Sequence, residues 1–548
     1  MCSKKSRIIF ILSIAILMIV IVSALGITEQ ASALEKKRDF HISKVTIPDT
    51  GSYEGQGAGF DASSAGNVIV RTNIAENKIK SIEVLVHREL NGDQQLLNFE
   101  KTAKLIIDKI LSTQNPNISE EDVKNIIKDL IKDMQPIPKN QCIQDGKGIA
   151  QAVSNSLTAS PDGEKQVYFN PYNGKDSDKG KDAAHGVKTF DAAKKLLPDG
   201  GKIVLVTKWK VKKGEKISLK SEKDAPLILE RQPGMIKNMI EVQGEMLIEN
   251  FVVDGHKGTK NKGQLISVAP FENSKGVLTL GKGAILQNNV ATEPGAGIYA
   301  SQDSTVKIDG GVIKNNVTYA RGGGICTEST VELINGEITE NKALKGAGND
   351  SGSGGGVVNI GSFGKGLIMK GGKIHKNHAQ YRGGGIAGSY QIFKMEGGSI
   401  VNNTSDEGSG GISDKGHYWN KTLVLKGGSI ENNRGKAPGI DLKDENTVLL
   451  KGNITVKDNK DSDKIRNIKC KKAKIIGELT GEVNFATDDG IIEGGSEEEK
   501  GQPYKITASD VNHIFNDDGL MAILQDSGNR VLFVPSAEDG IKVNPNLI

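Results

Sequence analysis

Cysteine is scarce in these 548 residues: there are four, of which Cys2 precedes a long apolar run, while Cys142, Cys326 and Cys470 stand far apart and are odd in number. That spacing excludes a disulfide framework and a cysteine-based metal site, so the three read as small buried apolar residues. Aromatic residues make up only 4% of the chain, too few for a repeated stacking platform. Net charge is also nearly absent. The formal value is +4, and it falls to +2 without residues 1–33, which carry three Lys/Arg against one Asp/Glu. There is no basic field for nucleic acid, which is set aside as a partner.

Long apolar runs are absent too, with one exception. Residues Ile8 to Ile27 carry no charge, follow Lys4, Lys5 and Arg7, and precede Ala31-Ser32-Ala33. A basic stretch, an apolar stretch and a small-residue cleavage signal form a signal peptide over 1–33. Cleavage after Ala33 is expected, with an uncleaved membrane anchor as the alternative, since 20 residues can also span a bilayer. Either way the remainder is expected outside the cell, secreted or at the cell surface.

Glycine is abundant, 67 residues, and it recurs in a pattern. "GGVIKNNVTYARGGGICTE" at 310–328 shares its skeleton with "GGKIHKNHAQYRGGGIAGS" at 371–389. Taking the Ile of Gly-x-Ile-x-x-Asn as a marker gives Ile285/Asn288, Ile313/Asn316, Ile338/Asn341, Ile374/Asn377, Ile400/Asn403 and Ile430/Asn433. A second marker, Gly-Ile or Gly-Val, trails each at 297, 324, 356, 385, 411 and 439. A third segment alternates apolar and polar residues, as in TVKI at 305–308 and TVEL at 330–333. Three short strands per repeat of roughly 25 residues predict a β-solenoid, because one such repeat cannot bury its apolar face alone. The marker isoleucines are expected to stack inward and the paired glycines to occupy corners. Each asparagine is expected to take a left-handed bend and to bond the asparagines above and below it.

The pattern resembles the right-handed parallel β-helix of the pectin lyase-like superfamily, and specifically the repeats of bacterial surface and adhesin-like proteins, over about 278–455. The resemblance weakens from 165 to 277. There VKTFDAAKKLL reads as an amphipathic helix with Phe190, Ala193 and Leu197 on one face, placed to cap the first coil. The resulting division is a β-helix with its N-terminal cap at 167–480 and a C-terminal cap at 481–548. Insertions at 345–353 and 413–420 lengthen two repeats, and long solenoid loops are where contacts are usually made.

Residues 49–157 carry another pattern. Two alternating strands joined at Glu76-Asn77-Lys78 precede three amphipathic helices, the second started by Ser119 with Asp122, which predicts a small α+β domain followed by a linker at 158–166. Gly51-x-Tyr53-x-Gly55, NKIKSIEVLVHRE and the Gly148-Ile149 helix are similar to the FMN-binding domain of exported flavoproteins. In that family a Ser-Gly-Ala-Thr segment before the last helix takes FMN as a threonine ester. The corresponding positions here are Asn140, Gln141, Cys142 and Ile143, and Ile143 has no hydroxyl. The resemblance thus implies an FMN-type module without covalent flavin. No cofactor is expected, and FMN enters by resemblance alone.

Acid/base chemistry on a glycosidic bond needs clustered carboxylates. The chain offers Asp488-Asp489 and Asp517-Asp518, and His375, His378 and His417 at unrelated phases. Arg321 and Arg382 share one phase, each ahead of three glycines, with no recurring acidic partner. No catalytic, cofactor or metal residue is assigned. The expected function is a non-enzymatic binding, adhesion or structural scaffold, with an extracellular protein or glycan as partner. The alternatives are an exported FMN-binding redox protein and a polysaccharide lyase or hydrolase.

Overall fold

An apolar residue at one phase of a repeat is buried only when its counterpart in the next repeat lies directly over it. The computed structural model describes the chain between residues 51 and 534 apart from 58–67, 77, 88–92, 116–117, 119, 132–138, 158–165, 223–224, 257–259, 262, 270–274, 349, 361–365, 389–392, 415–421, 444, 487–490, 498–500 and 526–528. The signal segment, Ser119, His417 and Asp488-Asp489 lie outside the described residues, as does the side chain of Cys142. No described helix is long and apolar enough to cross a membrane.

The chain is mainly β, a solenoid of about 10 turns over residues 201–516, preceded by a small α/β region. Coils of the repeat region contribute to three main ladders, the second and third of which share one continuous strand in Thr305–Lys314 and in Thr330–Thr339. One ladder holds Ile298–Ala300, Ile325–Thr327, Val357–Asn359 and Ile386–Gly388. The next runs through Val277–Leu280, Leu367–Met369, Phe393–Met395 and Thr422–Leu425, and the third through Ile285–Gln287, Lys373–His375, Ser399–Val401 and Gly428–Glu431. Neighbouring coils pair in parallel throughout these ladders. A fourth, unforeseen ladder of two-residue strands, including Val317–Thr318, Lys342–Ala343 and His378–Ala379, closes each coil. Two residues are too few for an alternating pattern to appear in the sequence.

The marker residues Ile313, Ile338, Ile374, Ile400 and Ile430 stand in one register, and all are fully buried. Each such burial stabilises by about 1.5–3 kcal/mol. The first repeat is shifted by one residue from the sequence reading. Leu286, not Ile285, lies under Ile313, and Ile285 is only half-buried. Asn289 accordingly replaces Asn288 as the inward asparagine. Both Ile285-x-x-Asn288 and Leu286-x-x-Asn289 satisfy the spacing, so the sequence did not separate them.

The left-handed bend also sits one residue earlier than expected. Asn316, Asn341, Asn377, Asn403 and Asn433 do not take it, since none of them has positive φ. The residue before each takes it instead: Asn315, Glu340, Lys376, Asn402 and Asn432 have φ between 54° and 57°. Asn288, with φ 61°, plays that part ahead of Asn289. The bend points the following amide inward, where Asn316, Asn341, Asn377, Asn403 and Asn433 are all fully buried. Expecting the bend at the marker asparagine itself fails because that side chain is needed inside the stack, and the turn must be made before it. Gly324 shows why the corner excludes a side chain. A Cβ there would lie 2.7 Å from the carbonyl oxygen of Gly356 and 3.2 Å from Asn341 Nδ2.

Both ends are closed. Helix Phe190–Lys195 is capped by Thr189, whose side chain accepts from the Ala192 N–H, and buries Phe190 and Ala193. Phe190 stacks on Trp209 at 5.7 Å and meets Phe251 edge-on at 5.8 Å. At the far end parallel pairing continues beyond residue 480 to Ile514–Asn516, and a hairpin of Met521–Gln525 with Arg530–Val534 follows.

The preceding α/β region has three antiparallel strands, β1 (Gly51–Gly57), β2 (Val68–Ala75) and β3 (Lys78–His87), with helices α1 (Asp93–Thr113), α2 (Glu120–Ile131) and α3 (Lys139–Ser156). The glycine-rich β1 has no alternating signature. A Cβ at Gly55 would lie 2.1 Å from the Ser156 nitrogen, so β1 lies directly on α3. Its other contacts reach the solenoid's opening segment. Glu54 is fully buried, 2.9 Å from Arg71 Nη2, and accepts from the Ala183 N–H at 3.1 Å. Gln56 Nε2 donates to the Val206 carbonyl at 2.8 Å. Ile69, Tyr168, Ala183, Val204 and Val206 form an apolar cluster between the two parts.

Candidate functional site

Inside the solenoid the inward asparagines form one continuous hydrogen-bond ladder. The backbone N–H and Nδ2 of Asn341 both donate to Asn377 Oδ1 at 3.0 Å, and Asn377 donates likewise to Asn403. Asn403 donates in the same way to Asn433, and Asn433 to Asn459. Each Nδ2 in the repeat region also reaches a carbonyl, as from Asn377 to Ile338 and from Asn433 to Ile400, both at 2.8 Å. The run extends from Asn289 through Asn459 to Asn467. From Asn316 to Asn467 each Oδ1 accepts from the asparagine before it, and from Asn316 to Asn459 each Nδ2 donates to the asparagine after it.

Charged groups meet both ends. Arg231, fully buried, donates to Asn289 Oδ1 at 3.3 Å and to the carbonyls of Met235, Lys237 and Gln264. Burial pushes its guanidinium down to about 9. At the other end Asp517 accepts from the Asn467 backbone N–H and Nδ2, each at 2.6 Å. Burial raises its carboxyl above the usual value, against the pull of those Asn467 bonds and of Arg466. The cation thus meets the ladder's oxygen end and the carboxylate its N–H end, which opposes the summed amide dipole favourably. Sequence reading gave Asp517 no such place. Its neighbour Asp518 pairs with Arg466 at 2.6 Å.

The 345–353 insertion builds the outer surface beside this ladder. Arg321 and Arg382 do share one phase, but Ser353 lies between them, bridging to both. An acidic partner unforeseen in the sequence comes from the insertion, where Asp350 Oδ1 sits 2.8 Å from Arg382 Nη2. Arg382 also lies over the Tyr381 ring at 5.0 Å, with the Lys345 ammonium at 5.5 Å from the same ring. Lys345 pairs with Glu407, and Ser351 Oγ holds the turn by accepting from the Gly346 N–H at 3.0 Å. Beside it a cleft of about 590 Å³ is lined by Pro294, Tyr319, Arg321, Lys345 and Ser351 among others.

His375 and His378 lie apart on different ladders and are half-buried; His375 faces Glu337 at 3.3 Å and His378 faces Asp406 at 3.5 Å. Cys326 and Cys470 are free and buried, and burial pushes both thiols up to about 12. Ile143 is partly buried against the core of the α/β region. Among the described residues no group of three or more His, Cys, Asp or Glu side chains is arranged to hold a metal ion. No family model matches this chain, and no curated protein or solved structure matches it either.

Proposed function

We propose that this is an exported protein whose β-helix, right-handed by its resemblance to pectin lyase-like surface proteins, serves outside the cell as a non-enzymatic binding or structural scaffold. One observation carries the reading. The repeated residues are spent on the interior: isoleucines on the core, asparagines on the ladder, glycines on close approach. What varies from coil to coil is the outer surface, above all the 345–353 insertion, whose Lys345 and Asp350 meet Tyr381 and Arg382 of a later repeat. A stiff interior with a variable exterior suits display of contacts, since binding residues concentrate on loops held by a rigid frame. The basic and apolar start of the chain, with Ala31-Ser32-Ala33, supports export.

The test is protease shaving of intact cells expressing the full chain, compared with the culture medium, together with assays for reducing and unsaturated ends released from plant and bacterial polysaccharides. The reading expects the protein in the shaved or secreted fraction and no release above background. Recovery only inside cells, or release lost on changing one residue, contradicts it.

A further inference from the structure

The cleft beside the insertion is built by the corners of three successive coils. Each corner follows a strand of the fourth ladder: Thr292 and Pro294 follow Val290–Ala291, Tyr319 to Arg321 follow Val317–Thr318, and Lys345 to Gly348 with Ser351 follow Lys342–Ala343. The insertion is pinned across the middle corner, because the Gly352 N–H donates to the Ala320 carbonyl at 2.6 Å and the Gly322 N–H to that of Ser353 at 2.9 Å. Gly346 lies directly on the Tyr319 carbonyl, which leaves no room there for a Cβ. Among the described residues two cations and no carboxylate line the cleft. Lys345 is already paired with Glu407. Arg321 is half-buried and makes no side-chain hydrogen bond or ion pair among the described residues.

Arg382 stands at the same phase as Arg321, with Ser353 between them, and there the insertion's own Asp350 puts a carboxylate 2.8 Å from Nη2. We propose that the cleft binds an acidic peptide segment of a partner protein, whose carboxylate takes at Arg321 the place that Asp350 takes at Arg382. The proposal rests on the reading of the chain as a non-enzymatic binding scaffold and names the class of its partner. A guanidinium holds a carboxylate through two parallel N–H bonds, a geometry that a lysine does not reproduce. The N–H groups of Ala347 and Gly348 are exposed and bond nothing among the described residues, so they are open to the carbonyls of a peptide. Pro294, Tyr319 and Ala320 offer apolar surface to the residue beside the acid. About 590 Å³ lies in the range of small-ligand clefts, room for a few side chains. A uronate or phosphodiester polymer carries a charge on every unit and calls for a row of free cations, whereas here one cation is unpaired.

Selection of a displayed library of random decapeptides on the full chain tests it, followed by anisotropy titration of the enriched peptides made with capped ends. The expected result is enrichment of peptides that carry Asp or Glu beside an apolar residue. Their affinity should fall roughly tenfold or more when the acid is changed to its amide, and likewise in Arg321→Gln, by loss of a charge-assisted pair. Ala347→Glu, in the exposed turn, sets a competing carboxylate at the cleft. It should abolish binding while circular dichroism stays unchanged, and it decides the matter should Arg321→Gln fail to fold. Enrichment of no peptide, enrichment of peptides without an acid, or unchanged affinity in both folded variants overturns the proposal. Tighter binding of tetragalacturonate or polyphosphate, lost in Arg321→Gln, overturns it as well. Secretion without peptide binding overturns this proposal alone, whereas peptide binding by a chain recovered only inside cells supports it and overturns the reading of export.

Discussion

A single buried asparagine in this protein serves two neighbours at once. Asn377 Oδ1 accepts from the backbone N–H and Nδ2 of Asn341, and Asn377 Nδ2 donates to Asn403 Oδ1 and to the Ile338 carbonyl. Asn377→Leu keeps the volume but strands donors and acceptors in the coils on either side. With each stranded group costing about 1–3 kcal/mol, the loss should be on the order of 3 kcal/mol or more. Urea unfolding gives the total, and hydrogen exchange at the Asn341 amide gives the local effect. A loss under about 0.5 kcal/mol would show that the ladder does not hold the coils. The phase of this ladder was readable from Ile-x-x-Asn in five repeats, from Asn316 to Asn433, although the bend was placed one residue late in each. In the remaining repeat, consecutive asparagines at 288 and 289 offered two solutions, and only the position over Asn316 separates them. Arg231 and Asp517 were not readable as its ends. Neither belongs to the repeat, and 286 residues separate them in the chain.

At the scale of elements, the contact of β1 and β2 with the solenoid's opening segment depends on an ionised carboxylate, that of Asp182, which lies 3.3 Å from Arg71 Nη2, the group that also holds Glu54 of β1. Burial works to raise Asp182. Its bonds from the His185 ring and backbone, and the charge of Arg71, outweigh that and hold its carboxyl below the ordinary value. A carboxyl lowered on folding contributes stability that is fully present above the unfolded value, about 4, and is lost as pH falls through the folded one. Hydrogen exchange in β1 should therefore accelerate below about pH 4 before the solenoid opens, and Asp182→Asn should remove much of this acid dependence. Identical acid limbs in the two proteins would contradict the assignment.

The same α/β region carries the flavin question. Position 143 is an isoleucine packed partly into the core, so no ester can form there. Coexpression with a flavin transferase should leave no fluorescent band at the protein's mass on a denaturing gel, and such a band would refute the alignment on Gly148-Ile149. Here the sequence was less informative than in the solenoid. β2 and β3 show themselves by alternation, but β1 is nearly half glycine and lies on α3 through the absence of side chains. Its tie to residues 182–206 is a contact between distant segments that no local pattern announces.

For the whole molecule, about 10 turns at roughly 4.8 Å per coil make a stack about 50 Å long. Periodicity made that stack legible, because the same physical demand recurs in every coil. The cleft beside the insertion was not legible, because it is assembled once, from residues such as Pro294, Tyr319 and Ser351 that share no motif. The central claim is that the coils stack in one register from the coil of Arg231 to that of Asp517. Disulfide mapping by mass spectrometry tests it in three double-cysteine variants with outward-facing partners: Ile285→Cys with Val312→Cys, Glu337→Cys with Lys373→Cys, and Ser429→Cys with Thr455→Cys. Registered partners on adjacent parallel strands lie within disulfide reach, whereas a shift of one residue turns one side chain to the opposite face. All three pairs should cross-link under mild oxidation, and the shifted control Ile285→Cys with Ile313→Cys should not. Cross-linking of the control in preference to Ile285→Cys with Val312→Cys, or failure of all three pairs in folded protein, would contradict the account.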